Sequence, residues 1–493
     1  MKPLTNRKKK MSLLKQMFFI GLALAANCSV AQEKDFFVSN NEKINKKEFD
    51  EKIDSILAIT NIPAVSLAII EDNKIAYSNS FGYKHQLKKE VIDNNTLFEA
   101  CSLSKIYLVA AAYKLVDQGL LDLDKPIFEY KTNEKLAYDA RYKLITPRMI
   151  LSHTSGIENW EWLNVGGKLE ILQDPGTQYT YSGEGFHYLA RVIQTILDKP
   201  YEEYLDEIVL SPLNLKQIDL NYTPADSIGN YANGHSIIGK SLNKWVTKDP
   251  WPASSIHTTA ESFAKLLVSV FDEQFLTKES IAKMTKPVMV IEEGNDSKYG
   301  IANGFFVLEN ENDKIVNFSG DNKGFKADML YSPIHKRGFV FFTNSDLGGV
   351  FGKHLNKLTT NLDANLYLDK PYFKDYETIS DLIVLYNQEG KGKMFERIDS
   401  MKEEELNFYL LEELMFDFYS KDKEASERIA ETILKYDKKS AASYFLIGVV
   451  NLKVHNNPVK AKEYLYKCKN LGFNRFDVDS YIRSCDDSIA QGH

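Results

Sequence analysis

An α+β fold built on an antiparallel sheet and followed by an all-α region is the architecture this sequence predicts, and three features predict it. Two β-rich runs near the N-terminus, PAVSLAII and KIAYSNSFGY, are separated by the turn signal EDN. Three further runs, FFVLENENDKIVNFSG, GFKADMLYSP and GFVFFTNSD, stand far down the chain with DNK and PIHKRG between them, so the early hairpin and the late strands can share one sheet. From about residue 375 glycine and β-branched runs thin out, and Glu, Lys, Leu and Tyr recur at helical spacing to the C-terminus.

The N-terminus carries its own signature. Lys2, Arg7, Lys8, Lys9, Lys10 and Lys15 lead the apolar run MFFIGLALAA, and small residues follow at Ser29 and Ala31, so 1–31 is expected to be a secretory signal peptide cut after Ala31. The run is too short to span a bilayer, and no later segment reaches the roughly 18 consecutive apolar residues that a membrane helix needs. The mature protein is therefore expected to be exported, periplasmic or secreted, with no transmembrane segment. Cys28 offers an acylation site, but Asn27 before it is larger than the residue that lipid processing prefers, which disfavours a lipid anchor. Loss of 1–31 removes six basic residues and no acidic one, leaving 55 basic against 68 acidic and a net charge of −13, which argues against a nucleic-acid partner. Three cysteines remain, Cys101, Cys468 and Cys485, without metal-site spacing; a Cys468–Cys485 disulfide is compatible with the sequence but not indicated by it.

With 493 residues and 44% apolar composition the chain is long enough for two or more domains. After an N-terminal extension, 32–48, a first domain is expected over 49–370 and a helical one over 375–490. In the first, DEKIDSILAIT has helical spacing and leads into the hairpin. Next comes FEACSLSKIYLVAAAYKLVDQGLLDLDKPI, residues 98–127, where Ala100, Ile106, Leu108, Val109, Ala110, Ala111, Leu115 and Val116 are too apolar all round for a surface helix, so it should be buried and central. In the helical region Leu411, Glu412, Ala425, Ile429 and Thr432 are echoed 36 residues later by Ile447, Gly448, Ala461, Leu465 and Cys468. That period and spacing resemble tetratricopeptide repeats, with Glu412 where a glycine is expected. Stacked helix pairs of that kind usually present a concave face to a protein or peptide partner.

Within 98–127 a serine stands three residues before a lysine. The spacing occurs six times, beginning at Ser12, Ser102, Ser241, Ser262, Ser280 and Ser420, so by itself it discriminates nothing. Only at Ser102 does the pair open a strongly apolar helix, which seats both side chains on one face about 5–6 Å apart at Cβ in a dry interior. Desolvation there lowers the amine's pKa, and a lysine that can be neutral near pH 7 can take the serine's proton, while the helix N-terminus favours an oxyanion. The alternative is a helix-capping Ser102 beside a solvated first-turn Lys105.

The flanking sequence decides between the two. FEACSLSK, GLLDLDKPI, ITPRMILSHTSGI, YTYSGEGF and PASSIHTTAESFAKLL, in this order, resemble the class C β-lactamases and penicillin-binding-protein-like serine hydrolases over roughly 49–366. The resemblance implies a β-lactamase/transpeptidase-like fold, an antiparallel sheet flanked by helices beside a helical subdomain. It also implies an active site made of Ser-x-x-Lys, Tyr-x-Asn and a Lys-Thr-Gly or His-x-Gly strand, with no cofactor and no metal. By it, Ser102 is the acylated nucleophile and Lys105 the amine that shares its proton. Three tyrosines compete for the second motif, Tyr77 in YSN, Tyr181 in YSG and Tyr231 in YAN. Tyr181 is chosen because it follows DPGTQYT and precedes the helical EGFHYLARVIQTIL, as the family's tyrosine does. Its phenol, beside a cationic lysine, is expected to ionise more easily and to serve as general base and then acid.

Two departures from the family pattern bear on function. Gly183 stands where the second motif has asparagine, leaving Glu184 or a water to hold the lysine. NFSGDNKGF aligns with the strand motif and puts Phe318 where lysine or histidine is expected, followed by Ser319 and Gly320. Gly320 lets a substrate backbone approach closely, and the resemblance assigns the oxyanion hole to the N–H groups of Ser102 and Asp321. Loss of the cation at 318 removes a partner for the carboxylate of a β-lactam or a D-Ala-D-Ala peptide, unless Lys323 or Lys326, both expected to be solvated, replaces it. His153 and His257 are expected in the core, and Trp160 and Trp162 either line the cleft or anchor their loop. The expected function is an exported serine hydrolase that forms an acyl-enzyme with a small-molecule or peptide ester, amide or lactam. Esterase or D-amino-acid peptidase activity is favoured over efficient β-lactamase activity. The alternative is a weakly active or inactive hydrolase-fold protein that binds a ligand in the cleft and a protein partner on the helical repeats.

Overall fold

Apolar residues run almost unbroken along the early and late β segments because both faces of the sheet they form are covered. The structure, a computed structural model, describes residues 35–163, 168–223, 225, 229–294 and 296–491; the expected signal peptide, Cys28 and the first residues of the N-terminal extension lie outside them. β1 (Phe36–Ser39) and β2 (Glu42–Asn45) pair as a small hairpin, and Asn45 caps helix α1 (Lys46–Thr60) by accepting from the Glu48 N–H. β3 (Ala64–Glu71) and β4 (Lys74–His85) form the hairpin expected around EDN, whose Asp72 and Asn73 both take the left-handed conformation that such a turn needs. β5 (Glu90–Val91) borders β4.

The chain then builds the half of the molecule that carries the chemistry. β6 (Phe98–Glu99) leads into α2 (Ser104–Asp117), α3 (Gly183–Leu197) follows, and β7 (Ile218–Asp219) and β8 (His257–Thr258) join β6 in a three-stranded sheet ordered β6-β8-β7. Helix α4 (Ala260–Val270) comes next. β9 (Met289–Glu293), β10 (Ser297–Ile301), β11 (Phe306–Asn310), β12 (Lys314–Asn322), β13 (Phe325–Ser332) and β14 (Arg337–Thr343) complete a nine-stranded antiparallel sheet ordered β5-β4-β3-β14-β13-β12-β11-β10-β9. The early hairpin and the late strands therefore do share one sheet. The run FFVLENENDKIVNFSG is two strands rather than one, because the Asn310 side chain accepts from the N–H groups of Asn312 and Asp313 and turns the chain.

Alternation along the central strands divides the core. Ala64, Ala68, Ile70, Val340 and Phe342 face the layer containing α2 and α4, whereas Val65, Leu67, Ile69, Phe339 and Phe341 face α1 and α5 (Phe351–Leu358). Helix α2 is central as expected, with residues 104–113 all buried.

The helical C-terminal region comprises α6 (Pro371–Glu389), α7 (Lys391–Ser400), α8 (Phe408–Tyr419), α9 (Lys423–Tyr436), α10 (Ala441–Lys453), α11 (Pro458–Asn470) and α12 (Val478–Ala490). The echoed positions Leu411, Ala425, Ile429 and Thr432, with Ile447, Ala461, Leu465 and Cys468, are buried. A Cβ at Gly448 would lie 2.8 Å from Leu465 Cγ, so the small residue lets α10 and α11 close on each other. Glu412, where the second copy has that glycine, accepts instead from the Ser440 hydroxyl at 2.6 Å. Cys101, Cys468 and Cys485 are free thiols in the core.

No core boundary separates this region from the sheet. Phe339 and Phe341 belong to the same apolar cluster as Ile379, Leu382, Ile383, Leu410 and Leu414, and the Ser380 hydroxyl donates to the Thr60 carbonyl at 3.0 Å. A chain ended after residue 370 would uncover side chains worth about 1.5–3 kcal/mol each when buried. It is expected to melt several degrees below the full chain and to bind a hydrophobic dye, read in one thermal scan. No helix among the described residues is long and apolar enough to cross a membrane.

Candidate active site

The candidate nucleophile sits on a tight turn. Ser102 lies in the 3₁₀ segment Cys101–Leu103 between β6 and α2, and Cys101 before it has a φ of +50°, a conformation that costs a residue with a side chain. Burial of the Cys101 side chain, with its thiol directed to the Glu99 and Phe325 carbonyls, holds the turn. β12 lies directly against it: a Cβ at Gly320 would stand 2.7 Å from Cys101 Cβ and 3.0 Å from the Ser102 nitrogen. β11 pairs with β12 only as far as Asn317, so that edge of β12 from Phe318 onward borders the cleft.

Ser102 does not cap the helix. The cap position of α2 is Leu103, which makes no side-chain cap bond, and the Ser102 Oγ accepts from Tyr181 Oη at 2.7 Å and from Lys105 Nζ at 3.3 Å. Lys105 Nζ also donates to the Ala253 carbonyl at 2.9 Å and lies 4.8 Å from the Tyr181 ring centre. The side chain is fully buried, and burial pushes its amine down to about 7, with only a weaker upward pull from the Cys101 side. The expectation of an acidified Tyr181 is reversed. Desolvation pushes that phenol well above its ordinary value, against a smaller downward pull from the hydrogen bond to Ser102. Burial brings the lysine's release of its proton close to neutrality, because it disfavours the charged amine in this interior.

Tyr181 is placed from behind. Ser182 caps α3 by accepting from the Gly185 N–H at 2.9 Å, and its own N–H donates to His153 Nδ1 at 3.1 Å. The His153 ring stacks on Tyr181 with centres 4.3 Å apart. Burial, with the charge of nearby Lys105, holds that imidazole well below its usual range and so neutral. His257 is buried as well. The rival tyrosines go elsewhere: Tyr77 donates to Asp50 and Tyr231 to Asp219.

The two departures acquire physical reasons. A Cβ at Gly183 would lie 2.2–2.6 Å from the Trp160 indole, which fills the space that an asparagine side chain would need. The Ala253 carbonyl, not Glu184, holds Lys105; Glu184 lies towards His187, 4.0 Å away. Phe318 is buried and packs 5.8 Å from Phe306. Of the two substitute lysines only Lys323 is the exposed turn residue expected. Lys326 is buried rather than solvated: burial pulls its amine down, but Asp321, with which it is paired, together with Tyr376 and Asp346, holds it above the ordinary lysine value. Lys323 does line the cleft, but it is paired with Asp346 at 3.1 Å and with Glu413 of α8 at 2.8 Å.

Around these groups opens a cleft of about 790 Å³, lined by Ser102, Trp160, Trp162, Tyr179, Tyr181, Trp245, Phe306, Phe318, Ser319 and Asp321 among others. The sequence did not single out Glu99, Asn322 or Glu413. Glu99 forms a buried wall where desolvation pushes its carboxyl up to about 7, against the hydrogen bond from Asn322 at 2.6 Å. Among the described residues no group of three or more His, Cys, Asp or Glu is arranged to hold a metal ion.

Comparison with known proteins bears on the family and the fold. The family model described as Beta-lactamase matches residues 49–363. Protein flp of Staphylococcus aureus (strain MW2) is 23% identical over 373 residues, covering 70% of each chain. A class C beta-lactamase structure superposes with a TM-score of 0.51 at 20% identity, over 61% of this chain and 91% of that one. EstCE1, a hydrolase with promiscuous acyltransferase activity, superposes with a TM-score of 0.53 at 17% identity, over 63% of this chain and 97% of that one. These likenesses show the fold, an antiparallel sheet flanked by helices with a helical subdomain.

Proposed function

Since the chain belongs to the Beta-lactamase family, we propose that it is a serine hydrolase acting through an acyl-enzyme on an ester, amide or lactam carbonyl. One observation carries this: the Ser102 Oγ is bonded at once by Tyr181 and by a fully buried Lys105 whose amine sits near 7. Neutral Lys105 takes the Ser102 proton as Oγ adds to the carbonyl carbon. The N–H groups of Ser102 and Asp321 hold the resulting oxyanion. Collapse breaks the bond to the leaving group, which takes up a proton by way of the neutral Tyr181 hydroxyl. Water then adds to the acyl carbon, its proton passing to the same pair, and the acid departs with Ser102 restored.

Esterase or D-amino-acid peptidase activity fits better than efficient β-lactamase activity, because Phe318 stands where a carboxylate-binding cation would be. Export by the 1–31 signal peptide, a hydrolase domain at 49–370 and a helical domain at 375–490 that share one continuous core, and a partner on the tetratricopeptide-like helices belong to the same proposal. The test is labelling of the mature protein by a fluorophosphonate, followed by intact mass and peptide mapping. A single adduct at Ser102, absent from Ser102→Ala, is expected, with no lasting adduct from a penicillin. An unlabelled Ser102 would instead favour a cleft that binds without turnover.

A further inference from the structure

All four tryptophans of this chain cluster together, and three of them, Trp160, Trp162 and Trp245, line the cleft. Trp160 and Trp162 stack with centres 4.6 Å apart, and Trp251 lies 5.1 Å from Trp162 and 5.5 Å from Trp245. Trp162 is 56% exposed and Trp245 36% exposed, so the wall faces solvent in the cleft mouth rather than being consumed by the core. Flat indoles open to water beside a candidate nucleophile, in a cleft that Phe318 and Phe306 also line, form a surface that a planar apolar group would cover.

The charges of the same cleft point the other way from a β-lactam or a peptide C-terminus. Lys323 is the one cation among the described lining residues, and it is already held by Asp346 and Glu413. Glu413 reaches it from helix α8 and is fixed from its other side by Arg475 at 2.9 Å. The carboxylates of Glu99 and Asp321 line the cleft as well. Asp321 is already paired with Lys326 and burial pushes the Glu99 carboxyl up to about 7, so a substrate carboxylate entering here finds no free cation among the lining residues to hold it.

We infer that the cleft takes uncharged esters or amides bearing an aromatic ring, and that Glu413 of the helical region, together with Asp346, excludes carboxylate-bearing substrates by neutralising Lys323. The inference rests on the hydrolase reading above and names its substrate class. Glu413 is a positioning residue, since it acts through Lys323, whereas Trp162 and Trp245 touch the substrate ring.

The test compares kcat/KM in a pH-stat for benzyl phenylacetate, for the same ester carrying a para-carboxylate on either ring, and for propyl butyrate, using the full mature chain. Benzyl phenylacetate should exceed each of the others by about tenfold or more. Trp245→Ala should lower the ratio of benzyl phenylacetate to propyl butyrate about tenfold. Glu413→Gln, nearly isosteric, should raise the ratio of carboxylated to plain ester by a similar factor, which a merely structural contact would not do. Turnover of propyl butyrate without ring preference, or an unchanged carboxylate ratio in Glu413→Gln, overturns the inference while leaving the hydrolase intact. Turnover of no ester, with Ser102 unlabelled by a fluorophosphonate, overturns both.

Discussion

Lys105→Met is expected to lower kcat/KM by about 10²–10⁴-fold, the usual contribution of a positioned base, while the melting temperature stays equal or rises. The two effects have one cause. Lys105 is fully buried, its bonded partners are the Ser102 hydroxyl and the Ala253 carbonyl, and no carboxylate offsets its lost hydration. Methionine has similar volume and no charge to desolvate, so stability has no reason to fall. The pH dependence follows from an amine moved down to about 7. Below that value Lys105 is protonated and cannot accept the Ser102 proton, so kcat/KM should rise with pH through about 7 and level off above it. Stability moves in the same direction. Both folded and unfolded states carry the charge below about 7, so the cost of burying it is then fully present. It fades as pH rises from there towards the ordinary lysine value of 10.5, because the folded state has already released its proton. The stabilisation of Lys105→Met should therefore be larger at pH 6 than at pH 9 in paired thermal scans. Unchanged turnover would sink Lys105 as the base, and a lower melting temperature would mean that it has a stabilising partner.

Features that depend on chain-local chemistry were legible in the sequence. The i, i+3 spacing brings Ser102, on the 3₁₀ turn before α2, together with Lys105 in the first turn of that helix, and the helix's uniform apolarity announces its burial. Tyr181 was separable from Tyr77 and Tyr231 because it follows the turn in DPGTQYT and leads into an amphipathic helix, as the tyrosine of the family it resembles does. Features set by distant chain were not legible. β9 escaped notice because four of its five residues are exposed and two are glutamates, leaving no apolar alternation to read. Nothing near Gly183 says that the Trp160 indole fills its side-chain space, and nothing near Lys323 points to a glutamate 90 residues away. The ionisation of Tyr181 was misjudged for the same reason: proximity of a lysine is visible in sequence, whereas the desolvation that strips both groups of charge belongs to the packed interior. The apparent boundary near residue 375 is a change of composition, yet Ile379, Leu382 and Ile383 extend the core beneath the sheet.

Gly320→Ala should cost about 10²-fold in kcat/KM, the penalty for displacing a reacting group by an ångström or so. The new methyl would stand 2.7 Å from Cys101 Cβ and 3.0 Å from both the Ala100 oxygen and the Ser102 nitrogen. None of these is the far end of a flexible side chain. β12 cannot retreat, because Gly320 pairs with Ala327 of β13 inside the sheet and Phe318 is packed beside it. The turn carrying Ser102 must move instead, away from Tyr181 and Lys105 and out of register with the N–H groups proposed to hold the oxyanion. Overpacking of this kind also lowers stability by about 1–3 kcal/mol, so a drop in melting temperature alone does not separate the explanations. Adding Cys101→Gly does. It removes the atom in closest conflict, and glycine accepts the φ of +50° at that position without strain. The double variant should recover part of the lost kcat/KM and of the fluorophosphonate labelling rate at Ser102. If Gly320→Ala alone keeps full turnover, the close approach of β12 does not position the nucleophile; if Cys101→Gly restores nothing, the conflict lies with the backbone of the turn rather than with the cysteine side chain.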